Sequence, residues 1–154
     1  MPSTLLPVPH FEQLERGECL AACAAMVLTY LGWPVDYTKL LKVLKIQPRI
    51  GTPAYNIREL EKLGINVIYK LGTVAEIQTQ LSHNSPCITF VKTSELPYWD
   101  EDTEHAVVVV GMDEQSVYLN DPAFPLAPIS VPLADFDLAW FEWGEFYAVL
   151  SRHR

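Results

Sequence analysis

Positive charge is scarce in this sequence: 11 Lys and Arg stand against 19 Asp and Glu, a formal net charge of −8. Phosphate binding needs a basic surface, so the composition argues against a nucleic-acid partner. Long apolar runs are missing too. The longest strongly apolar stretch, Ala106 to Met112, is far too short to span a bilayer. The N-terminal segment MPSTLLPVPHFEQLERGE has no basic start and no long apolar core, so no secretory signal is expected. These absences predict a soluble cytoplasmic protein that does not span a membrane, unless the chain was cut from a longer membrane-bound precursor. Cysteine is sparse: only Cys19, Cys23 and Cys87 occur. An odd count without a signal segment argues against a disulfide framework. Structural zinc usually takes four Cys or His ligands, and no matching pair accompanies Cys19 and Cys23. No metal and no other cofactor is therefore expected, a site built from Cys19, Cys23 and His105 being the weaker alternative. Repeats and low-complexity segments are absent as well.

What is present is core material. Of 154 residues, 49% are apolar, enough to bury one sizeable core, and the length predicts a single domain over residues 1–154. The first half reads helical. From Cys19 to Leu31, the residues Leu20, Cys23, Ala24, Val27, Leu28 and Leu31 recur at helical spacing, which predicts an amphipathic helix. Gly32 ends it and Pro34 prevents its resumption. Asp36 is a cap for a second helix that carries Leu40, Leu41, Val43 and Leu44. Thr52-Pro53 opens a third, with Pro at the first helical position, and Gly64 closes it. Thr73-x-x-Glu76 is a capping box before a fourth, which buries Val74, Ile77 and Leu81.

The second half reads as strands: Ile65 to Tyr69, Pro86 to Lys92, His105 to Met112, Ser116 to Asn120 and Glu145 to Leu150. Asp113-Glu114-Gln115 makes 105–112 and 116–120 a hairpin. Leu133 to Trp143 is a short helix that packs Phe136, Leu138, Trp140 and Phe141. Helices first and mostly antiparallel strands second describe an α+β domain, with a groove where the two lobes meet. The acidic, aromatic loop Thr93 to Glu104 leads straight into His105. It is either a lid or binding loop, with Tyr98 and Trp99 lining the groove, or a solvated connector.

Four residues form a chemical set. Cys19 sits in the first helical turn, where the macrodipole and free N–H groups favour a thiolate. The competing reading is a buried structural cysteine. Cys23 and Cys87 are assigned to the core. His105 opens an apolar strand at the sheet rim, where it can serve as a base or as a structural histidine. Pairing of the hairpin returns Asp121 toward His105, within reach of the bond by which a carboxylate fixes an imidazole tautomer. The alternative for Asp121-Pro122 is a turn starter. Gln13, six residues before Cys19, can supply an amide to an oxyanion hole together with the Cys19 backbone N–H. His10, His83 and His153 have no supporting neighbours and are expected at the surface.

The segments QLERGECLAACAAMVLTYLG and EHAVVVVGMDEQSVYLNDPA resemble the bacteriocin-processing (double-glycine) peptidases, a family of papain-like cysteine peptidases. The likeness runs from about residue 10 to about residue 150 and includes Gln13, Cys19, Cys23, His105, Asp121 and Pro122. It implies a papain-like fold, with an N-terminal helical lobe against a C-terminal, mostly antiparallel sheet and an active-site cleft between them. It further implies Cys19 as nucleophile, His105 as base, Asp121 as orienter and Gln13 as oxyanion donor. The implied substrate is a leader or precursor peptide, and the implied partner a separate export transporter. Where the family usually has Asp-Cys-Gly, this chain has Glu18-Cys19-Leu20. The bulkier Leu20 is expected to narrow the channel and to alter a Gly-Gly preference. Two competing functions use the same fold: a catalytically idle peptide-binding module, and an acyltransferase or deamidase.

Overall fold

A computed structural model describes residues 4–152 of the chain. His153, expected at the surface, lies outside the described residues. A seven-stranded antiparallel sheet runs through the centre. Its strands are β1 (Thr4–Leu5), β2 (Ile65–Leu71), β3 (Cys87–Lys92), β4 (Glu104–Met112), β5 (Ser116–Asn120), β6 (Ile129–Pro132) and β7 (Phe146–Arg152). The order across the sheet is β2-β7-β3-β4-β5-β6, and β1 pairs with the far end of β4. Neither β1 nor β6 is predicted from the sequence. Each is too short to show an alternating pattern, and both exist because a longer strand offers them an edge.

Helices cover both faces. On one lie α1 (Cys19–Tyr30), α2 (Tyr37–Val43) and a 3₁₀ helix (Ala54–Leu63). They pack on Ala106, Val108 and Val110 of β4, Ile88 and Phe90 of β3, and Ala148 and Leu150 of β7. On the other, α3 (Val74–Ser82) and α4 (Leu133–Glu142) pack on Val107, Val109, Cys87, Val91 and Tyr147. This two-sided cover explains the unbroken apolar run of β4, since alternate residues feed opposite cores. The expected N-terminal helical layer packs on one face of the sheet, and α3 and α4 add a second layer on the other. Among the described residues, no helix is long and apolar enough to cross a membrane.

Local chemistry sets the helix ends. The Asp36 carboxylate accepts from the Lys39 N–H at 3.2 Å, the expected cap of α2. At the end of α1, Trp33 N–H reaches Leu28 O at 2.9 Å, and Gly32 supplies the left-handed φ of +74° that this closure requires. Other expectations need correction. The periodicity of α1 suggests one apolar face, yet every residue from Leu20 to Leu28 is buried. Ala21, Ala22, Ala24 and Ala25 are small enough for α1 to be enclosed on all sides. The segment after Pro53 is a 3₁₀ helix, with Pro53 flanking it rather than inside it. Only half of the Thr73/Glu76 capping box forms: Thr73 Oγ1 accepts from Glu76 N–H at 3.1 Å. The Glu76 carboxylate instead accepts from Tyr147 at 3.2 Å and pairs with Lys70 at 3.4 Å. In α4, Phe136 and Trp140 are buried as expected, but Leu138 and Phe141 are exposed.

Candidate active site

The N-terminus of α1 is fixed by two short-range constraints. Gly17 has φ +89°, and a Cβ on it would stand 2.9 Å from the backbone nitrogens of Ile50 and Gly51. A side chain there would be strained in conformation and would collide with the 49–51 turn. Glu18 caps no N–H of the helix, because its carboxylate accepts from the Tyr37 hydroxyl at 2.8 Å. Cys19 follows as the first helical residue and is partly exposed. Leu20, next in line, is 3% exposed and belongs to the core. It also lines the cleft beside Cys19, as the expectation of a narrower channel requires.

His105 is the second residue of β4 and is buried. Across the hairpin, the pairing of Val109 with Leu119 is followed by that of Gly111 with Tyr118, so Val110 is an extra residue. Such a bulge shifts the partner strand by one position. Here it brings Asp121, just past Asn120 of β5, one step nearer to His105. The result is a bond of 2.7 Å between His105 Nε2 and Asp121 Oδ1. That leaves Nδ1 as the ring nitrogen available to the thiol.

Asp121 is fully buried and accepts four hydrogen bonds. Oδ1 takes His105 and the Ala123 N–H at 2.9 Å, while Oδ2 takes the Tyr98 hydroxyl at 2.7 Å and the Trp99 indole N–H at 2.9 Å. Trp99 also stands edge-on to the His105 ring, with centroids 4.9 Å apart. Phe124 packs against both Tyr98 and Trp99, at 5.2 Å from each. The sequence suggests that both aromatics line the groove. Trp99 does, whereas Tyr98 is turned to the carboxylate. The signal that could have found this is the pairing of two amphipathic rings, each with a polar tip that needs a partner when buried.

The electrostatics follow from these contacts. Burial pushes the Cys19 thiol up, but the bond to His105, the charge of that ring and the Ala106 N–H together bring it below the ordinary thiol value. Burial alone would lower His105. Its bonds to Asp121 and to Cys19 prevail and raise it to about 10. Asp121 is likewise pushed up by burial but held below its usual value by His105, Ala123 and Tyr98. The contacts therefore stabilise a thiolate at Cys19 and an imidazolium at His105 relative to the free groups. Cys23 is fully buried and raised well above the usual value, first by burial and then by the charge of Cys19. Cys87 is pushed up to about 12 by burial.

Gln13 lines the same cleft as Cys19 and His105. Its backbone N–H donates to Pro122 O at 2.8 Å, so the loop before α1 is tied to the residue after Asp121. The side-chain oxygen of Gln13 is buried without a partner, which leaves the amide nitrogen as its open end. His10 is no plain surface residue: its Nε2 bonds Phe124 O at 2.7 Å and fastens the N-terminal segment to the same loop. His83 is exposed. The cleft has a volume of about 580 Å³. Leu14, Ile50, Phe124 and Trp143 line it together with Glu12, Glu15, Glu101 and Glu104, and Arg16 bridges to Glu101 at 2.8 Å. Among the described residues, no group of three or more His, Cys, Asp or Glu could hold a metal ion, so Cys19, Cys23 and His105 form no such cluster.

Comparison with known proteins gives one family. The Peptidase C39 like family matches residues 5–146. No curated protein matches the sequence. Among solved structures, a candidate C39-like peptidase from Bacillus anthracis superposes with a TM-score of 0.81 at 20% identity, each chain covered in full (100%). The double-glycine-motif protease of an AMS/PCAT transporter, solved in complex with the leader peptide, gives 0.74 at 23% identity over 95% of this chain and 92% of that one. The peptidase domain of Streptococcus ComA, a bi-functional ABC transporter of a quorum-sensing pathway, gives 0.72 at 19% identity over 97% and 99%. These likenesses establish the papain-like α+β fold.

Proposed function

The chain belongs to the Peptidase C39 like family, and on that premise we propose that it is a thiol peptidase working as one domain over residues 1–154. Its substrate is an extended peptide, in a leader or precursor context. Support for the leader context comes from the solved relatives, one of which was captured with a leader peptide and two of which are parts of transporters. A separate export transporter is the corresponding partner, and the cytoplasm the corresponding compartment.

The observation that carries the reading is the arrangement at the cleft, where Cys19 and Gln13 line the same space as a His105 ring that Asp121 holds at 2.7 Å. The Cys19 sulfur attacks the carbonyl carbon of the scissile bond. Negative charge moves to the carbonyl oxygen, where the Gln13 amide and the Cys19 N–H stabilise it. Collapse expels the amine, which takes the proton of His105, and leaves a thioester on Cys19. Neutral His105 then removes a proton from water, hydroxide adds to the thioester, and the released thiolate regains its imidazolium partner. Asp121 fixes which ring nitrogen faces the sulfur throughout.

A peptide library incubated with wild type and with Cys19→Ala tests this. Cleavage by wild type alone is expected, with the acyl half released as a free acid. Products ending in an amide exchange or a transferred acyl group would instead indicate a transferase or deamidase. Silence of wild type on every peptide, with slow and equal alkylation of all thiols, would leave the idle binding module.

A further inference from the structure

The arrangement around Asp121 is more selective than an orienting carboxylate requires. We propose that Tyr98 and Trp99 are positioning residues that make position 121 accept a carboxylate and reject the isosteric carboxamide, and that Trp99 is the one that enforces the choice. The proposal rests on the peptidase reading for its purpose, but not for its geometry.

All four groups that meet Asp121 are donors. His105 Nε2–H and Ala123 N–H meet Oδ1, and Tyr98 O–H and Trp99 N–H meet Oδ2. Two oxygens with two lone pairs each match this set completely. Asparagine offers one oxygen and one NH₂ group. With its oxygen toward His105 and Ala123, the NH₂ faces Tyr98 and Trp99. A tyrosine hydroxyl can rotate to accept, but an indole N–H cannot, so a buried donor faces a donor. With the oxygen toward Tyr98 and Trp99, the NH₂ faces the Ala123 N–H, which cannot rotate. That orientation also turns Nε2 of His105 into an acceptor and puts the ring proton on the nitrogen that should take it from the thiol. Either way Asp121→Asn leaves one frustrated buried donor. Removing the Trp99 N–H resolves the first orientation, the one that keeps the ring correct.

The titratable groups around Asp121 are Cys19 and Cys23 from α1, His105 from β4 and Tyr98 from the loop before it. None besides His105 supplies a positive charge. Trp99→Phe keeps an aromatic ring facing Phe124 and His105 but removes one ring of the indole along with the donor, so the thermal melt reports the cost of the lost volume separately from the labelling rate.

The test is the alkylation rate of Cys19 by iodoacetamide at pH 6, read by mass spectrometry on the full chain. The variants are Trp99→Phe, Asp121→Asn and the two combined, each checked for a native thermal melt. Trp99→Phe alone is expected to slow labelling roughly two- to tenfold, the equivalent of one lost hydrogen bond. Asp121→Asn is expected to slow it further. The combined variant is expected to label roughly tenfold faster than Asp121→Asn, the equivalent of relieving one unsatisfied buried donor. A combined variant as slow as Asp121→Asn, or slower, overturns the proposal. A second readout is the ¹⁵N spectrum of the His105 ring, which reports whether Nε2 carries a proton without any need for a reactive thiol. The combined variant is expected to restore the wild-type Nε2–H signal lost in Asp121→Asn, and its failure to do so overturns the proposal too. Slow labelling of wild-type Cys19 would count against the peptidase reading, while the ring spectrum still decides the proposal.

Discussion

Cys19 and Cys23 sit one helical turn apart on α1, and they differ in almost every property that matters for a thiol. Cys19 is partly exposed and lowered, whereas Cys23 is fully buried and raised well above the ordinary value. Burial pushes both up. What separates them is the His105 ring and the Ala106 N–H, which act on Cys19. A helix N-terminus alone helps either residue only modestly, because its effect fades within the first turn. The lesson is that α1 delivers a sulfur to a place, and a distant strand decides whether that sulfur ionises. The backbone bond from Gln13 to Pro122 joins distant parts of the chain, whereas the β4–β5 hairpin with its bulge brings Asp121 to His105 locally.

The comparison can be broken most completely at the ring. His105→Ala should remove the group that distinguishes the two thiols and cost roughly 10²- to 10⁴-fold in peptide cleavage. Cys19 should then alkylate with the pH dependence of a buried thiol, rising only in alkaline solution. Cys23→Ala is the matching control and should leave the fast Cys19 phase intact.

A pH profile sharpens the comparison next. Thiolate and imidazolium coexist between the lowered value of Cys19 and the raised value of His105, about 10. Cleavage should rise through the first and fall through the second, because a neutral ring has no proton for the leaving amine. The same shift has a stability counterpart. His105 is raised above its usual 6.5, so its contribution to folding is complete below that pH and is lost as pH climbs toward about 10. Asp121 is lowered, so its contribution is complete above its usual 3.8 and is lost in more acidic solution. Urea melts at pH 5, 7 and 10 would show the alkaline loss in wild type and its reduction in His105→Ala.

A smaller effect is expected where the backbone delivers Cys19. Gly17→Ala puts a side chain at φ +89° against the 49–51 turn. The conformational part alone costs about 1–2 kcal/mol. The accompanying shift of Glu18 and Cys19 should slow alkylation even where thermal melts show the fold intact. The smallest effect is expected at Arg16. Its pair with Glu101 lies at the lining of the cleft at 2.8 Å, but both side chains are mostly exposed. Arg16→Ala should therefore change stability by less than about 1 kcal/mol and leave the Cys19 labelling rate unaltered.

Much of this architecture was legible in the chain. Asp36, Gly32 and Thr73 mark helix ends through their own side chains or backbone freedom, and each does so in the fold. The hairpin at Asp113 was readable because that carboxylate accepts from the N–H groups of Gln115 and Ser116 at 2.9 and 2.8 Å, a purely local matter. The closeness of His105 and Asp121 was readable from the same turn. What was not legible depends on partners far along the chain. The bulge at Val110 has one local signature, the isolated Gly111 inside the strand, but a strand glycine marks a close backbone approach equally well and does not single out a register shift. The enclosure of α1 on all sides is invisible when alanine fits either a buried or an exposed face. The role of Tyr98 looked like that of a groove residue, because nothing nearby in sequence announces a buried carboxylate.

The most direct test of the central claim is the rate of iodoacetamide labelling of all three cysteines in the native protein at pH 6. Cys19 should react far faster than Cys23 and Cys87, at a pH where an ordinary thiol is almost wholly protonated, and the excess should vanish in His105→Ala. Equal, slow labelling of the three, or a Cys19 rate that survives loss of the ring, would contradict it.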